Sequence, residues 1–300
     1  MMQDFELSVT ICSWNTREDL RLCLESLRRV RGEVDFEVIV VDNASKDGSG
    51  AMVAEQFPEF RLLQQTENLG FCRGHNLALQ ERRGRDAMLL NSDTVVHPGA
   101  LRALMEVRRA RPEVGILGPK LKNPDGSLQF SCRRFPNPIA AAFRNTFLGR
   151  WFPQNKFTRE YLMQDWSHDQ LREVDWLSGA AMIVTHEVIE KVGVLDPNLF
   201  MFCEDVDLCK RAWEQGFKVV YVPTGEITHA IGRSTDQVAN KMIVRFHRSM
   251  LRYYTKHNLR ESFVLLRPGL WCFAATALTI RASLFLLKNG LDALRRRISR

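Results

Sequence analysis

The sequence predicts an α/β fold with a mostly parallel central sheet flanked by helices, followed by a C-terminal helical tail. Short apolar runs alternate with helix-period segments over the first 120 residues, which is the pattern of βαβ units with right-handed crossovers. Residues 36–41 form an almost purely apolar run, as a strand buried on both faces of a parallel sheet requires. Charge then divides the chain. From residue 241 on there are 13 Lys/Arg against only Glu261 and Asp292, a net +11, so the net +7 of the whole leaves −4 for the rest. That division predicts a globular domain over residues 1–240 and a basic amphipathic helical tail over residues 241–300, suited to an anionic surface.

Each element has a local reason. Residues 7–12 are a short β-prone run. Thr16, with Asp19 three residues on, offers an N-cap for a helix reaching Arg31 on Leu20, Leu24 and Leu27. The strand at 36–41 ends in Asp42, and a second helix follows Asp47-Gly48-Ser49. Residues 61–64 are predicted as a strand, 74–82 as a helix, and 87–90 as an apolar strand ending in Asn91-Ser92-Asp93. Pro98 is placed at the first position of a helix to about Arg111, where its missing N–H costs nothing. Residues 114–117 form a further strand. The stretch 120–174 is less regular, with Asn123-Pro124-Asp125-Gly126 as a turn between two short strands. Ser178-Gly179-Ala180-Ala181 is a run of small residues. A helix is predicted over 204–215, with Gly216 at its C-cap, and a strand over 217–222. Two helical segments follow, 236–256 and 261–294, with a break near Arg267-Pro268-Gly269.

With 45% apolar and 26% charged residues, the composition excludes a collagen, a coiled-coil rod and a disordered chain. The seven cysteines are scattered with no C-x-x-C pair, so neither a zinc site nor a disulfide framework is expected. The N-terminus lacks the basic and apolar regions of a signal peptide, which predicts a cytoplasmic location. No P-loop, dinucleotide-binding glycine motif or nucleophile elbow occurs.

What does occur is a set of polar residues at strand ends, where open parallel sheets bind ligands. Asp42 and Asp93 end two strands and fall on one edge. Further on, Glu204, Asp205 and Asp207 crowd the start of a helix behind Phe200-Met201-Phe202. One acid there is explained by the helix dipole; three behind a wall of aromatics are not. A parallel sheet with acids at its edge and no phosphate-cradling loop points to phosphate held through a divalent cation.

Taken in order, these residues resemble glycosyltransferase family 2, the inverting sugar-nucleotide transferases of GT-A fold. The resemblance covers residues 7–235 and rests on Ser8 to Asn15, Val40 to Ser49, Asn68-Leu69-Gly70-Phe71 with Gly74-His75-Asn76, Leu89 to Thr94, Trp176 to Ala180, and Phe202 to Leu208. Its asparagine-rich motifs are similar to the rhamnosyltransferase-like branch. The resemblance implies that Asp205 is the catalytic base, with Glu204 and Asp207 in acceptor or supporting roles. It implies that Cys12, Ser13, Asn15, Asp42, Asn43, Asn68, Gly70, Asn76, Asn91, Ser92 and Trp176 bind the donor. Asp93 and His229 would hold Mg²⁺ or Mn²⁺; Asn91 stands where the family's D-x-D motif has its first aspartate, so the site lacks one negative charge. The implied activity is sugar transfer from a dTDP- or UDP-linked donor, with dTDP-rhamnose favoured, to a glycan or polyprenyl-linked acceptor in cell-surface polysaccharide synthesis. The alternatives are a nucleotidyltransferase, whose Gly-rich basic signature is missing, and a non-catalytic membrane scaffold.

No nucleic-acid reader motif accompanies the basic tail. Its uninterrupted apolar run, 268–280, is 13 residues, short of the roughly 20 that span a bilayer. An interfacial helix is therefore expected, apolar side in lipid and arginines on anionic headgroups, peripheral on the inner face of the membrane.

Overall fold

The computed structural model describes residues 4–137, 143, 147–230 and 238–298. Its centre is a ten-stranded sheet in the order β3-β2-β1-β4-β11-β6-β12-β5, with β7 beside β6 and β9 beside β12. The strands are β1 (Phe5–Ser13), β2 (Phe36–Asp42), β3 (Arg61–Gln64), β4 (Gly84–Asn91), β5 (Thr94–Val96), β6 (Val114–Lys122), β7 (Leu128–Gln129), β9 (Arg172–Glu173), β11 (Ala181–Val184) and β12 (Lys218–His229). A second, two-stranded sheet pairs β8 (Cys132–Arg133) with β10 (Trp176–Leu177). β1, β2, β3, β4, β6 and β12 all run one way, and β5, β7, β9 and β11 run against them. The expected mostly parallel sheet flanked by helices is present. Among the strands absent from the sequence reading, which include β5 and β9, the central one is β11, which runs backwards between β4 and β6. It follows directly on the small-residue run 178–180, with no turn signal to set it off as a strand.

The strands are parallel because their connections are helices: α1 (Arg17–Arg29), α2 (Ser49–Gln56), α3 (Gly70–Gln80) and α4 (Ala100–Ala110). Every residue of β2 is buried, as an apolar run covered on both faces must be. Leu20, Cys23, Leu24 and Leu27 face the core from α1, the predicted stripe. Two local expectations differ. Thr16 holds the N-cap position of α1, as expected, but its side chain makes no capping bond; its hydroxyl lies 3.0 Å from both Ser13 Oγ and Ser92 Oγ, while Asp47 Oδ2 takes the Arg17 N–H at 2.8 Å. Pro98 lies before, not inside, α4, whose N-cap is Gly99 at φ 85°. The 123–126 turn does join β6 to β7, with Gly126 at φ 84°. The irregular middle also holds α5 (Phe147–Trp151) and α6 (Lys156–Tyr161), and α7 (His186–Lys191) follows β11.

α8 (Glu204–Glu214) carries the last of the sequence motifs, and α9 (Ala239–Tyr253) follows the last strand. The charge pattern assigns α9 to the tail, yet it packs on the body: Met242, His247, Ser249 and Tyr253 are buried, and Ser249 Oγ donates to the Met201 carbonyl at 2.9 Å. A π-helical turn, Tyr254–Asn258, then carries His257 into the body. α10 (Arg267–Ile298) starts at the expected break and turns back along α9, with Phe285 beside His247 and Asn289 Nδ2 2.7 Å from Asn240 Oδ1. The stretch Val264–Leu291 is long and apolar enough to cross a membrane, and none of its most apolar part is buried. The 13-residue count underestimates it because the helix continues through Arg281. All seven cysteines are free.

Candidate active site

Strand register builds the first part of the site. Ser13 lies beside Asp42, and Cys12 beside Asn91, at the carboxyl ends of three parallel strands. Asp42 is buried and its Oδ1 takes the Ser45 N–H at 3.3 Å. Asn43 donates from Nδ2 to the Gly70 carbonyl at 3.3 Å, while its buried Oδ1 has no protein partner. Asn15, at φ 51°, holds the opposite lip by accepting the Lys46 N–H at 2.8 Å. Asn68 Oδ1 takes the Gly70 N–H at 2.9 Å, which shapes the turn into α3. Cys12, Ser13, Asn43, Asn68 and Gly70 line a cavity of about 260 Å³ together with Trp14, Phe71, Phe200 and, from α9, Lys241, Met242 and Arg245, whereas Asn15, Asp42 and Asn91 do not line it.

Gly70 fits this turn because of two constraints. Its φ is +79°, and a Cβ would lie 2.7 Å from both the Phe200 ring and the Phe200 carbonyl. Phe71 N–H donates to that same carbonyl at 2.8 Å, locking the 68–71 turn to the loop before α8. Gly70→Ala is expected to destabilise the fold by about 1–3 kcal/mol and to weaken nucleotide binding as the turn opens. Thermal unfolding and nucleotide titration check both; wild-type values for both would refute the close-approach argument.

A second group lies at the corner of β4, β5 and β12. Pairing of His229 with Thr94 brings His229 Nε2 to 3.3 Å from Asp93 Oδ1 and 3.2 Å from Asn91 Nδ2. Its other nitrogen, Nδ1, is 2.7 Å from Gln129 Oε1, and Gln129 Nε2 donates to Asn123 Oδ1 and to the His229 carbonyl. With Gln129 Oε1 accepting from Nδ1–H, the neutral ring presents the Nε2 lone pair beside the Asp93 carboxylate. A lone pair and an anion side by side suit a shared cation. The donor set of one carboxylate, one imidazole and one neutral amide fits Mg²⁺ or Mn²⁺ with positions left for phosphate oxygens. Among the described residues no third His, Cys, Asp or Glu completes a cluster. Gln129 had no signal in the sequence; it enters through the 123–126 turn.

The third part is the start of α8. Phe202 and Cys203 are both left-handed, at φ 72° and 64°, a strained pair of non-glycine residues that swings the chain into the helix. Asp205 Oδ2 takes the Gly179 N–H at 3.1 Å and Oδ1 takes the Val206 N–H at 2.8 Å. Burial raises the Asp205 carboxyl above its usual range, against those two hydrogen bonds, and raises the neighbouring Glu204 well above it. Glu204 Oε2 is buried without a protein partner. The small-residue run explains the approach: next to Gly179, the Ala180 carbonyl takes the Asn91 N–H at 2.9 Å. Asp205 and the Asn91–Asp93–His229 corner are thus tied to adjacent residues of one segment.

Four expected site residues make other contacts. Asn76 exchanges two hydrogen bonds with the Leu195 backbone, at 2.8 and 3.1 Å, and does not line the cavity. Trp176 is buried, donates from Nε1 to the Arg134 carbonyl at 2.8 Å, and is covered by the Arg133 guanidinium. Asp207 points away from Asp205 toward His257 Nε2 at 2.8 Å and two cations, Lys256 Nζ at 2.6 Å and Arg211 Nε at 2.9 Å. Ser92 is the hydroxyl bridge to Thr16 already noted.

The model described as "Glycosyltransferase like family 2" matches residues 5–262. The chain is 32% identical to the N-acetylglucosaminyl-diphospho-decaprenol L-rhamnosyltransferase of Mycobacterium tuberculosis over 228 residues, 72% of this chain and 74% of that one. It is 26% identical to the rhamnosyltransferase WbbL of Escherichia coli, over 63% of this chain and 72% of the relative. Among solved structures, the mannosyltransferase PcManGT from Pyrobaculum calidifontis, in complex with GDP-Man and Mn²⁺, superposes with a TM-score of 0.57 at 17% identity, over 97% of this chain and 81% of that one. The last likeness shows the fold, GT-A-like.

Proposed function

The chain belongs to glycosyltransferase family 2, and from that premise we propose that it is a metal-dependent inverting hexosyltransferase moving rhamnose from dTDP-rhamnose to a hydroxyl of a polyprenyl-diphosphate-linked glycan. One observation carries the reading: the strand-end residues Ser13, Asp42 and Asn91 and the Asp93–His229 pair lie at the carboxyl edge of the sheet, and the partly buried Asp205 is tied to that edge through Gly179. The donor sugar and the lipid-linked acceptor come from the names of the relatives.

The chemistry assigned to the chain's own residues is a single displacement. The Asp205 carboxylate, raised by burial, accepts the proton of the acceptor hydroxyl. That oxygen bonds to the anomeric carbon as the bond to the nucleoside diphosphate breaks on the opposite face. The Gly179 and Val206 N–H groups keep Asp205 oriented, and Gln129 holds Nδ1 of His229 so that Nε2 faces Asp93. A divalent cation bound by Asp93 and His229, with Asn91 as a neutral third group, would offset the charge gathering on the departing diphosphate. Asn91→Asp adds the missing charge and is expected to tighten Mn²⁺ binding by roughly tenfold. Calorimetry reads this directly, and unchanged affinity would remove Asn91 from the metal site.

The exposed apolar length of α10 and the basic residues around it support attachment to a membrane surface, where a polyprenyl acceptor resides. The test of the function is release of free nucleoside diphosphate from a panel of dTDP-, UDP- and GDP-sugars with a lipid-diphosphate acceptor. Turnover with dTDP-rhamnose that EDTA abolishes is the expected result. Release of pyrophosphate, or no turnover with any sugar by folded protein, would overturn it.

A further inference from the structure

We infer that Lys241 and Arg245 form a diphosphate-binding pair, which α9 contributes to the nucleotide crevice. The inference rests on the reading of that crevice as a donor site, and it adds residues from outside the motifs that define the family resemblance.

Lys241 and Arg245 are four residues apart on a 15-residue helix, so both lie on one face. That face closes the cavity lined on its other side by Cys12, Ser13, Asn43 and Asn68. The Arg245 guanidinium stacks 3.4 Å above the Phe200 ring, and Phe200 is bonded through its carbonyl to the 68–71 turn. Arg245 is thereby fixed against the same turn that Asn68 shapes.

The charge balance points to an anion. No carboxylate lines the cavity; its polar lining is amide, hydroxyl and thiol, plus these two cations. Neither cation pairs with a carboxylate among the described residues, although Arg252 and Lys256, further along the same helix segment, both pair with Asp196. Burial pulls the Arg245 guanidinium down from its usual range with no acid to offset it. A half-buried arginine resting on an aromatic face, with a lysine one turn away, is suited to phosphate oxygens in the fork geometry that guanidinium provides. The buried, unpartnered Asn43 Oδ1 on the facing wall is a second unmet polar group turned to a ligand. Two diphosphates belong to the proposed reaction, that of the donor and that of the lipid acceptor, and either has the required chemistry.

The test compares wild type with Lys241→Gln/Arg245→Gln and with Arg245→Lys, each checked for wild-type thermal unfolding. Calorimetry with dTDP, UDP, thymidine, uridine and inorganic pyrophosphate measures the donor side. The KM for a polyprenyl-diphosphate-linked sugar in detergent measures the acceptor side. The expected result is a loss of roughly ten- to hundredfold in nucleoside diphosphate and pyrophosphate affinity, with nucleoside affinity unchanged. Arg245→Lys should fall between, since it keeps the charge and loses the fork. Unchanged diphosphate affinity with a tenfold rise in acceptor KM would assign the pair to the lipid diphosphate. Unchanged values in both arms would overturn the inference while leaving the donor site intact. Wild-type protein that binds no nucleoside diphosphate at all would overturn the donor reading itself, and the inference with it.

Discussion

Asp205→Asn should lower kcat by roughly 10²- to 10⁴-fold, the range a positioned general base supplies, while nucleoside diphosphate affinity stays at the wild-type value. The amide keeps the shape of the carboxylate but cannot take a proton. The split between kcat and donor affinity is the informative part. A residue needed only for folding or for the donor would move affinity as well. The pH profile provides an independent readout. The working form of Asp205 is the ionised one, so activity falls as pH drops through its pKa. Burial raises that pKa, so the acid limb of kcat/KM lies above the ordinary aspartate value of about 3.9. Because Glu204 adjoins it, the limb reports the pair rather than one residue. Wild-type kcat in Asp205→Asn would sink the base assignment.

Two residues along the same helix, Asp207→Ala should do the reverse, costing about 3–5 kcal/mol of stability because it leaves His257, Lys256 and Arg211 without their buried anion. Burial alone would raise the Asp207 carboxyl, but the His257 hydrogen bond and the Arg211 and Lys256 charges override it and hold it well below the usual carboxylate range. The sign follows from linkage. A depressed folded pKa contributes stability that is present above the unfolded value and lost as pH falls through the folded one. Wild type should therefore lose stability on acidification below about pH 4, and Asp207→Asn should lose that part of the slope. Denaturant unfolding across that range decides it. A Asp207→Ala protein as stable as wild type would show that the π-helical turn is held by packing and not by this cluster.

The two aspartates illustrate what was legible in the sequence. Both stand in one acidic run, and the motif alone gives them related roles. What separates them is direction. At α8's start the Asp205 carboxyl meets the Gly179 N–H, while the Asp207 carboxyl meets a turn 50 residues downstream that no local pattern connects to it. The parallel half of the sheet was legible because β1, β2 and β4 are buried runs whose apolar residues signal strands directly. β11 was not, because it runs on from the small residues 178–180 with no turn signal between them. Asp93 and His229 were found as single residues; the strand pairing that brings them to 3.3 Å, and Gln129 behind them, lies in tertiary register. Asn76 and Trp176 had the right motif context, but their polar atoms satisfy the Leu195 and Arg134 backbone.

The largest gap concerned α9. Its positive charge matched the tail, so the boundary fell before it, yet the helix closes the cavity at the sheet edge and is fastened by Ser249 and Arg252, with Lys256 of the following turn, to the loops around Met201 and Asp196. Net charge assigns a segment to a surface but does not say which face of it is buried. The same helix carries α10 on another side, through His247 and Asn240. The element that walls the crevice is therefore also the one that supports the exposed apolar helix.

The most direct test of the account is the anomeric configuration of the product, read by proton NMR on the newly linked sugar before any slower rearrangement. Displacement assisted by one base, Asp205, predicts inversion at the anomeric carbon, and product lost in step with kcat in Asp205→Asn. Retention of configuration would require a second displacement or attack on the same face as the leaving diphosphate, neither of which uses Asp205 as the base opposite that leaving group, and would contradict the account.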